Sequence, residues 1–212
     1  MGAGAKGLIG TLTAAGIRDE RVIEAFGLVP REEFVPPDQR HRAYEDVPLP
    51  IPHGQVTTQP SLIARMLEGL ALQGTERVLE VGAGYGFQTA LLATLASVVW
   101  SIERRPDLAA AARSSLRRRE IEAAHVVIGD GTRGLVGQAP FDAIVVAAAF
   151  TRVPAALAEQ LAPGGRLVQP IGPGGREDVV LYVKNGGALR RVGVLVKAHF
   201  VRLVGEHGFP TA

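Results

Sequence analysis

Along the middle of the chain, short and mostly apolar runs alternate with longer stretches in which apolar residues recur every three or four positions. Residues 78–81, 98–103, 125–128 and 143–147 have strand length, whereas 86–96 and 154–161 carry apolar side chains at helical spacing. A helix opening at Pro106 turns Leu108, Ala112 and Leu116 to one side. Proline suits its first turn because no amide hydrogen is needed there. Strands that are apolar throughout, separated by helices, predict a parallel sheet covered on both faces.

The flanks read differently. Asp19 is placed to cap a helix bearing Val22, Ile23 and Phe26, and Pro30, Pro36, Pro37, Pro48, Pro50 and Pro52 then break the chain into turns. A helix from Pro60 aligns Leu62, Ile63, Met66, Leu67 and Leu70. Toward the C-terminus three strands are expected, 166–171, 179–184 and 189–196, the last two joined by a hairpin tipped by Asn185-Gly186. The expected fold is α/β: a doubly wound, mostly parallel seven-stranded sheet with a C-terminal antiparallel hairpin and a helical N-terminal extension. The boundary is expected between residues 1–72 and 73–212.

Composition narrows the chemistry. The 212 residues are 47% apolar, enough for one sizeable core, and a net charge of +2 does not point to a polyanionic partner. Arg113, Arg117, Arg118 and Arg119 fall at helical spacing and read as a solvated face, with phosphate contact the competing reading. Cysteine is absent, which excludes thiolate metal sites and cysteine nucleophiles. His125, His199 and His207 lack metal-ligand spacing, so no metal is expected, and His41 and His53 are assigned no chemistry. No segment reaches the ~20 apolar residues of a bilayer span. The apolar run within residues 1–10 is too short for a signal peptide. A monomeric cytoplasmic protein touching neither membrane nor nucleic acid is expected. Scarce Met and Asn with abundant Arg fit either heat tolerance or a GC-rich genome.

The motif that carries chemistry is Glu80-Val81-Gly82-Ala83-Gly84-Tyr85-Gly86, which leaves a strand and opens a helix. Glycines there let backbone approach a ligand, and helix N-terminal amides favour a negative group. Glu103 ends the next strand, where a carboxylate can accept two ribose hydroxyls. A dinucleotide fingerprint would need a third glycine at position 87, which is Phe87. The spacing present instead resembles the S-adenosylmethionine loop of class I methyltransferases, whose usual plan is a mainly parallel, Rossmann-like sheet finished by an antiparallel hairpin. That resemblance implies cofactor contacts from Gly82, Ala83, Gly84, Gly86, Glu103, Asp130 and Gly131, with Asp130 toward adenine. An Asp-Gly turn without ligand is the plain alternative for Asp130. Pyrimidine-carbon methylation is set aside for want of cysteine. Base amino methylation is set aside because Val146-Ala147-Ala148-Ala149-Phe150 lacks its motif.

The region before the glycine loop is more specific. Residues 29–36 (Val-Pro-Arg-Glu-Glu-Phe-Val-Pro), Ala43-Tyr44-Glu45-Asp46 and residues 54–60 (Gly-Gln-Val-Thr-Thr-Gln-Pro) resemble successive signatures of the protein-L-isoaspartate O-methyltransferase family. Phe141-Asp142-Ala143-Ile144-Val145-Val146, residues 161–167 and Phe200-Val201-Arg202-Leu203 extend the likeness over nearly the whole chain. The family stretch at 54–60 usually runs Gly-Gln-Thr-Ile-Ser-Gln-Pro, and its active-site Ser falls on Thr58. Val56 replaces the family Thr, and Arg202 stands where Pro is common.

The resemblance implies a repair enzyme that methylates the free carboxylate of isoaspartyl residues in damaged proteins and peptides. Its methyl ester then collapses to succinimide, and hydrolysis returns some aspartate. Thr58 would be catalytic, Thr57, Thr58 and Val201 would hold substrate, and Gln59 and Ser61 would help hold the cofactor. Residues 1–72 would carry the substrate loop and 73–212 the S-adenosylmethionine domain. The carboxylate, with a pKa of about 3.3 to 3.9, is already ionised at neutral pH, so no general base is required and positioning does most of the catalysis. Thr58 could instead cap the helix at Pro60. The alternative activity is methylation of ordinary aspartate in a dedicated precursor peptide; an adaptor lacking activity and an RNA methyltransferase are the more distant readings.

Overall fold

The computed structural model describes residues 2–210. Two helices open the chain, α1 (Ala3–Ala14) and α2 (Glu20–Leu28). Asp19 caps α2 by accepting from the amides of Arg21 and Val22, and Val22, Ala25 and Phe26 turn inward. The helix α1 escapes the periodicity argument because Gly4, Gly7 and Gly10 dilute helix propensity. Burial of Leu8 and Leu12 against α2 outweighs that loss. The proline-rich stretch holds more than turns. Leu49–Ile51 (β1) and Gln55–Thr57 (β2) form an antiparallel hairpin, with Pro50 exposed in a two-stranded ribbon that tolerates a missing amide. Then comes α3 (Pro60–Leu70).

The remaining elements alternate as expected: β3 (Arg77–Val81), α4 (Phe87–Leu95), β4 (Val98–Glu103), α5 (Pro106–Arg118), β5 (Ala124–Ile128), β6 (Phe141–Val146), α6 (Ala155–Gln160), β7 (Leu161–Ile171), β8 (Glu177–Asn185) and β9 (Ala188–Ala198). Strands β3 to β9 make one seven-stranded sheet in the order β5-β4-β3-β6-β7-β8-β9. Pairings from β5 to β7 are parallel, and β8 and β9 add antiparallel.

Alternation along the strands divides the core. Val78, Val99, Ala143, Val145 and Val168 pack under the helices α1 to α5. Leu79, Val81, Ile102, Ile144, Val146 and Leu167 pack with Leu157 of α6 and with Leu203. Strand order reverses between β3 and β6, and Val81 lies level with both Ile102 and Val146. The carboxyl ends of β3, β4 and β6 therefore open a crevice at the switch point.

Two boundaries differ from the sequence reading. Strand β7 starts at Leu161 because Leu161 pairs with Phe141 ahead of the Gly164-Gly165 irregularity. The hairpin tip is Gly186-Gly187, not Asn185-Gly186. Asn185 is the last paired rung, opposite Ala188, and Gly186 and Gly187 have φ of 57° and 85°, as a type I′ turn requires.

Candidate active site

The chain leaving β3 must turn sharply at the crevice. Gly82, Gly84 and Gly86 adopt φ of 98°, 54° and 89°, a region that side chains avoid. The Gly82 amide donates to Ile102 O and that of Gly86 to Ala83 O, both at 2.8 Å. Glu103, 6% exposed at the end of β4, faces this loop. Its Oε2 accepts from Gly84 N and its Oε1 from Arg105 N, each at 2.9 Å. One amide on each oxygen fixes the carboxylate and leaves lone pairs for hydroxyls of a ligand. At Gly131, after β5, a β-carbon would collide with Val81.

Gly82, Ala83, Gly84, Glu103 and Gly131 line one cleft of about 210 Å³, which Thr57, Thr58 and Val201 also enter. Gly86 stands outside the lining, at the start of α4 and against Ala112. The carboxylate of Asp130 is not in the lining either. Its Oδ1 accepts from the amide and hydroxyl of Thr132 at 2.9 and 2.7 Å, and its Oδ2 accepts from Glu206 N at 2.7 Å. Burial pushes this carboxyl up, and those hydrogen bonds overrule it, leaving the group below its ordinary value. Asp130 thus pins the C-terminal segment to the end of β5.

Gln59 and Ser61 are also turned away from the cofactor cleft. Gln59 Nε2 donates to Asp46 and to Ser61 Oγ, both at 3.0 Å, and Asp46 Oδ1 accepts from Ser61 N at 2.8 Å. Asp46 therefore serves the amino end of α3. The N-cap position is Gln59, so Thr58 is not the cap. Thr58 is half-buried and lines both the cleft and an adjoining hollow of about 440 Å³. Val56, Ala147 and Val201 share that boundary. The far wall of the hollow carries Arg176, Lys197 and His199, and its lining includes no carboxylate.

Four groups to which the sequence assigned no role also shape the site. Gln88, 6% exposed in the cleft lining, has neither amide atom hydrogen-bonded among the described residues. Glu80 is fully buried beneath the loop, its Oε2 accepting from the hydroxyls of Thr89 and Ser101. Burial lifts its carboxyl to about 7 against those bonds, aided by the nearby charge of Glu103. The tip of the β1–β2 hairpin is latched to α5 by His53 Nε2 and Asp107 Oδ2 at 2.8 Å, which folds Ile51 over Gly84. Behind Thr57 and Thr58 lies the buried side chain of Arg31. No cluster of three or more metal-ligating side chains is assembled among the described residues.

Strand order, glycine turn and clamped acid together define a Rossmann-like methyltransferase. The sequence profile of the protein-L-isoaspartate(D-aspartate) O-methyltransferase family matches residues 3–208, and the chain belongs to that family. A Methanoculleus marisnigri protein-L-isoaspartate O-methyltransferase is 47% identical over 93% of this chain and 90% of its own length. A second, from Marinobacter nauticus, is 48% identical over 94% and 91%. Among solved structures, a protein-L-isoaspartate O-methyltransferase superposes with TM-score 0.85 at 29% identity, covering 96% of this chain and 67% of that one. A Plasmodium falciparum structure with S-adenosyl-L-homocysteine gives TM-score 0.80 at 23% identity over 94% and 97%, which supports the fold. The chain is accordingly a protein-repair carboxyl methyltransferase that acts on isoaspartyl residues.

Proposed function

We propose that methyl transfer takes place where the two cavities meet, at Thr58, with cofactor on the glycine-loop side and the isoaspartyl residue in the hollow beside it. The observation that carries this reading is the boundary of Val56, Thr58, Ala147 and Val201 shared by cleft and hollow. The cofactor side fits S-adenosylmethionine. Glu103 has free lone pairs for ribose, Gly131 has no room for a side chain, and Gln88 offers a buried amide without a partner. When bound, S-adenosylmethionine supplies an electrophilic methyl group on a sulfonium.

The protein's residues then have defined tasks. Gly82, Ala83 and Gly84 admit the ligand against bare backbone, Glu103 orients its ribose, and Gly131 borders the adenine end. Gly86 sets the start of α4, while Asp130, Gln59 and Ser61 support these walls through their own hydrogen bonds. Thr58 donates its hydroxyl to the substrate carboxylate and directs the attacking oxygen, and Val201 packs beside it. A neutral donor holds the nucleophile without quenching it. The apolar walls exclude water from the reacting atoms.

Residues 1–72 carry Thr58 and one wall of the acceptor hollow, and residues 73–212 carry the glycine loop, Glu103 and the rest of that hollow. The enzyme acts as a monomer on cytoplasmic proteins and peptides, with neither nucleic acid nor membrane as partner. No helix among the described residues is long and apolar enough to cross a membrane. The test is methyl transfer from labelled S-adenosylmethionine to paired peptides that differ only in Asp or isoaspartyl linkage. Equal rates on the two would sink the assignment of an isoaspartyl residue to the hollow.

A further inference from the structure

Arg31 is among the largest fully buried side chains of the protein, at 0% exposure. Its Nη1 donates to the carbonyls of Ala43 and Glu45, both at 3.0 Å. Its Nη2 donates to Val47 O at 3.2 Å, Thr57 Oγ1 at 2.9 Å and Thr58 O at 3.3 Å, while Nε has no partner among the described residues. Every one of these acceptors is neutral. Glu45, which pairs with Arg42 at 2.9 Å, and Asp46, which accepts from Gln59 and Ser61, favour the charge of Arg31 from a distance but make no hydrogen bond to it. Burial lowers the guanidinium only to about 10, so it is charged at neutral pH.

A buried cation whose hydrogen bonds all go to neutral acceptors is costly, even with the Phe87 ring 5.7 Å from its Cζ and the charges of Asp46 and Glu45 acting on it, and an apolar side chain of similar volume would fill the same space more cheaply. The cation lies directly behind Thr57 and Thr58, the segment at which the substrate carboxylate is placed. We propose that Arg31 is a positioning residue whose charge is completed by the substrate: it fixes the Thr57–Thr58 segment and supplies the field that draws an isoaspartyl carboxylate to Thr58. This rests on the carboxyl-methylation reading above.

The arrangement solves a chemical conflict. Direct N–H bonds from a cation would bind the carboxylate tightly and blunt its attack on the methyl group. A cation one residue away attracts the anion while leaving the attacking oxygen to a neutral hydroxyl. The methyl ester product is uncharged, so the field that favoured the substrate no longer holds it, and exit is favoured.

The test compares two ligands of the same shape. With S-adenosylhomocysteine present to prevent turnover, calorimetry measures the Kd of an isoaspartyl peptide and of its carboxamide counterpart. The wild type is expected to favour the carboxylate. A unit charge about 7 Å away at an effective dielectric of ~20–40 is worth roughly tenfold or more, so Arg31→Met should cut that preference about tenfold, and Arg31→Lys should keep most of it. A purely structural role would weaken both ligands alike. An unchanged ratio in Arg31→Met overturns the proposal. If Arg31→Met fails to fold, Arg31→Gln, which keeps neutral donors toward the same carbonyls and removes the charge, takes its place: the preference should again fall about tenfold, and an unchanged ratio overturns the proposal. Failure of the wild type to methylate the isoaspartyl peptide would instead sink the underlying reading.

Discussion

Glu103 and Gly84 are joined by a 2.9 Å hydrogen bond in which the strand-end carboxylate accepts from the amide of the glycine loop. Two features that stand 19 residues apart in the sequence are thereby one device. The carboxylate holds the loop in the shape that receives the ligand, and the loop amide orients the carboxylate toward it.

Replacing Glu103 should consequently weaken S-adenosylmethionine binding through two routes. Glu103→Gln keeps the bulk and one acceptor, whereas Glu103→Ala removes the ligand contact and frees Gly84. Hydrogen bonds to charged groups are worth about 1.5–3 kcal/mol, so Glu103→Ala should cost roughly one to two decades in Kd. Titration calorimetry with S-adenosylhomocysteine measures this. Unchanged affinity would mean that neither a ligand contact from the acid nor its hold on Gly84 contributes to binding.

Thr58→Ser should retain substantial activity, because the hydroxyl remains. Thr58→Val keeps the shape, removes the donor, and should lose roughly one to two decades in rate with cofactor affinity unchanged. Since α3 is served by Asp46 and not by Thr58, neither change should alter thermal stability appreciably. Full activity in Thr58→Val would dismiss the hydroxyl from the reaction.

Glu80 ties stability to pH. Its carboxyl is lifted from the ordinary 4.5 to about 7 in the folded protein, chiefly by burial. Below about 4.5 both folded and unfolded states are protonated and there is no penalty. Between about 4.5 and 7 the unfolded state ionises first, so stability falls as pH rises; above about 7 the loss is constant. Glu80→Gln should be more favourable relative to wild type at pH ~8 than at pH ~5, as read from urea midpoints. A difference between the two proteins that does not change with pH would count against a raised Glu80.

The parts of this design that were legible in the sequence are those written as local spacing. The glycine turn, Glu103 and the alternation of strands and helices follow from short-range pattern, and Gly82, Gly84 and Glu103 do meet in one cleft. The 54–60 stretch located Thr58 by resemblance. Long-range partnerships were not legible. Nothing near Asp130 announces that Glu206, far along the chain, claims its carboxylate. Arg31 falls within the 29–36 signature, but nothing there gives its partners, and only the fold wraps residues 43–58 around it. Asp46 took the helix-end role that adjacency suggested for Thr58, because the proline-rich segment folds back over α3.

The last prediction concerns damage to the enzyme itself. Asn185, the one asparagine in the chain, is exposed on the final rung of the β8–β9 hairpin and is followed by Gly186. Deamidation requires the Gly186 nitrogen to attack the side-chain carbonyl carbon of Asn185, expelling ammonia and closing a succinimide. Hydrolysis at one of its two carbonyls leaves isoaspartate. Glycine at 186 offers no side chain to obstruct that approach. The pairing of Asn185 with Ala188 holds the backbone extended, away from ring closure, so the reaction should run only when the last rung frays. Ageing should therefore be slower in the folded protein than in an excised peptide containing residues 180–191, and Gly186→Ala should slow both by adding bulk. Because isoaspartate is the substrate, aged molecules should become methyl-labelled at this peptide when fresh enzyme is added with labelled S-adenosylmethionine. Peptide mapping after prolonged warm incubation gives the answer. Label confined to other peptides, or an Asn185 that stays intact while aspartyl sites elsewhere have isomerised, would show that the hairpin protects this residue completely.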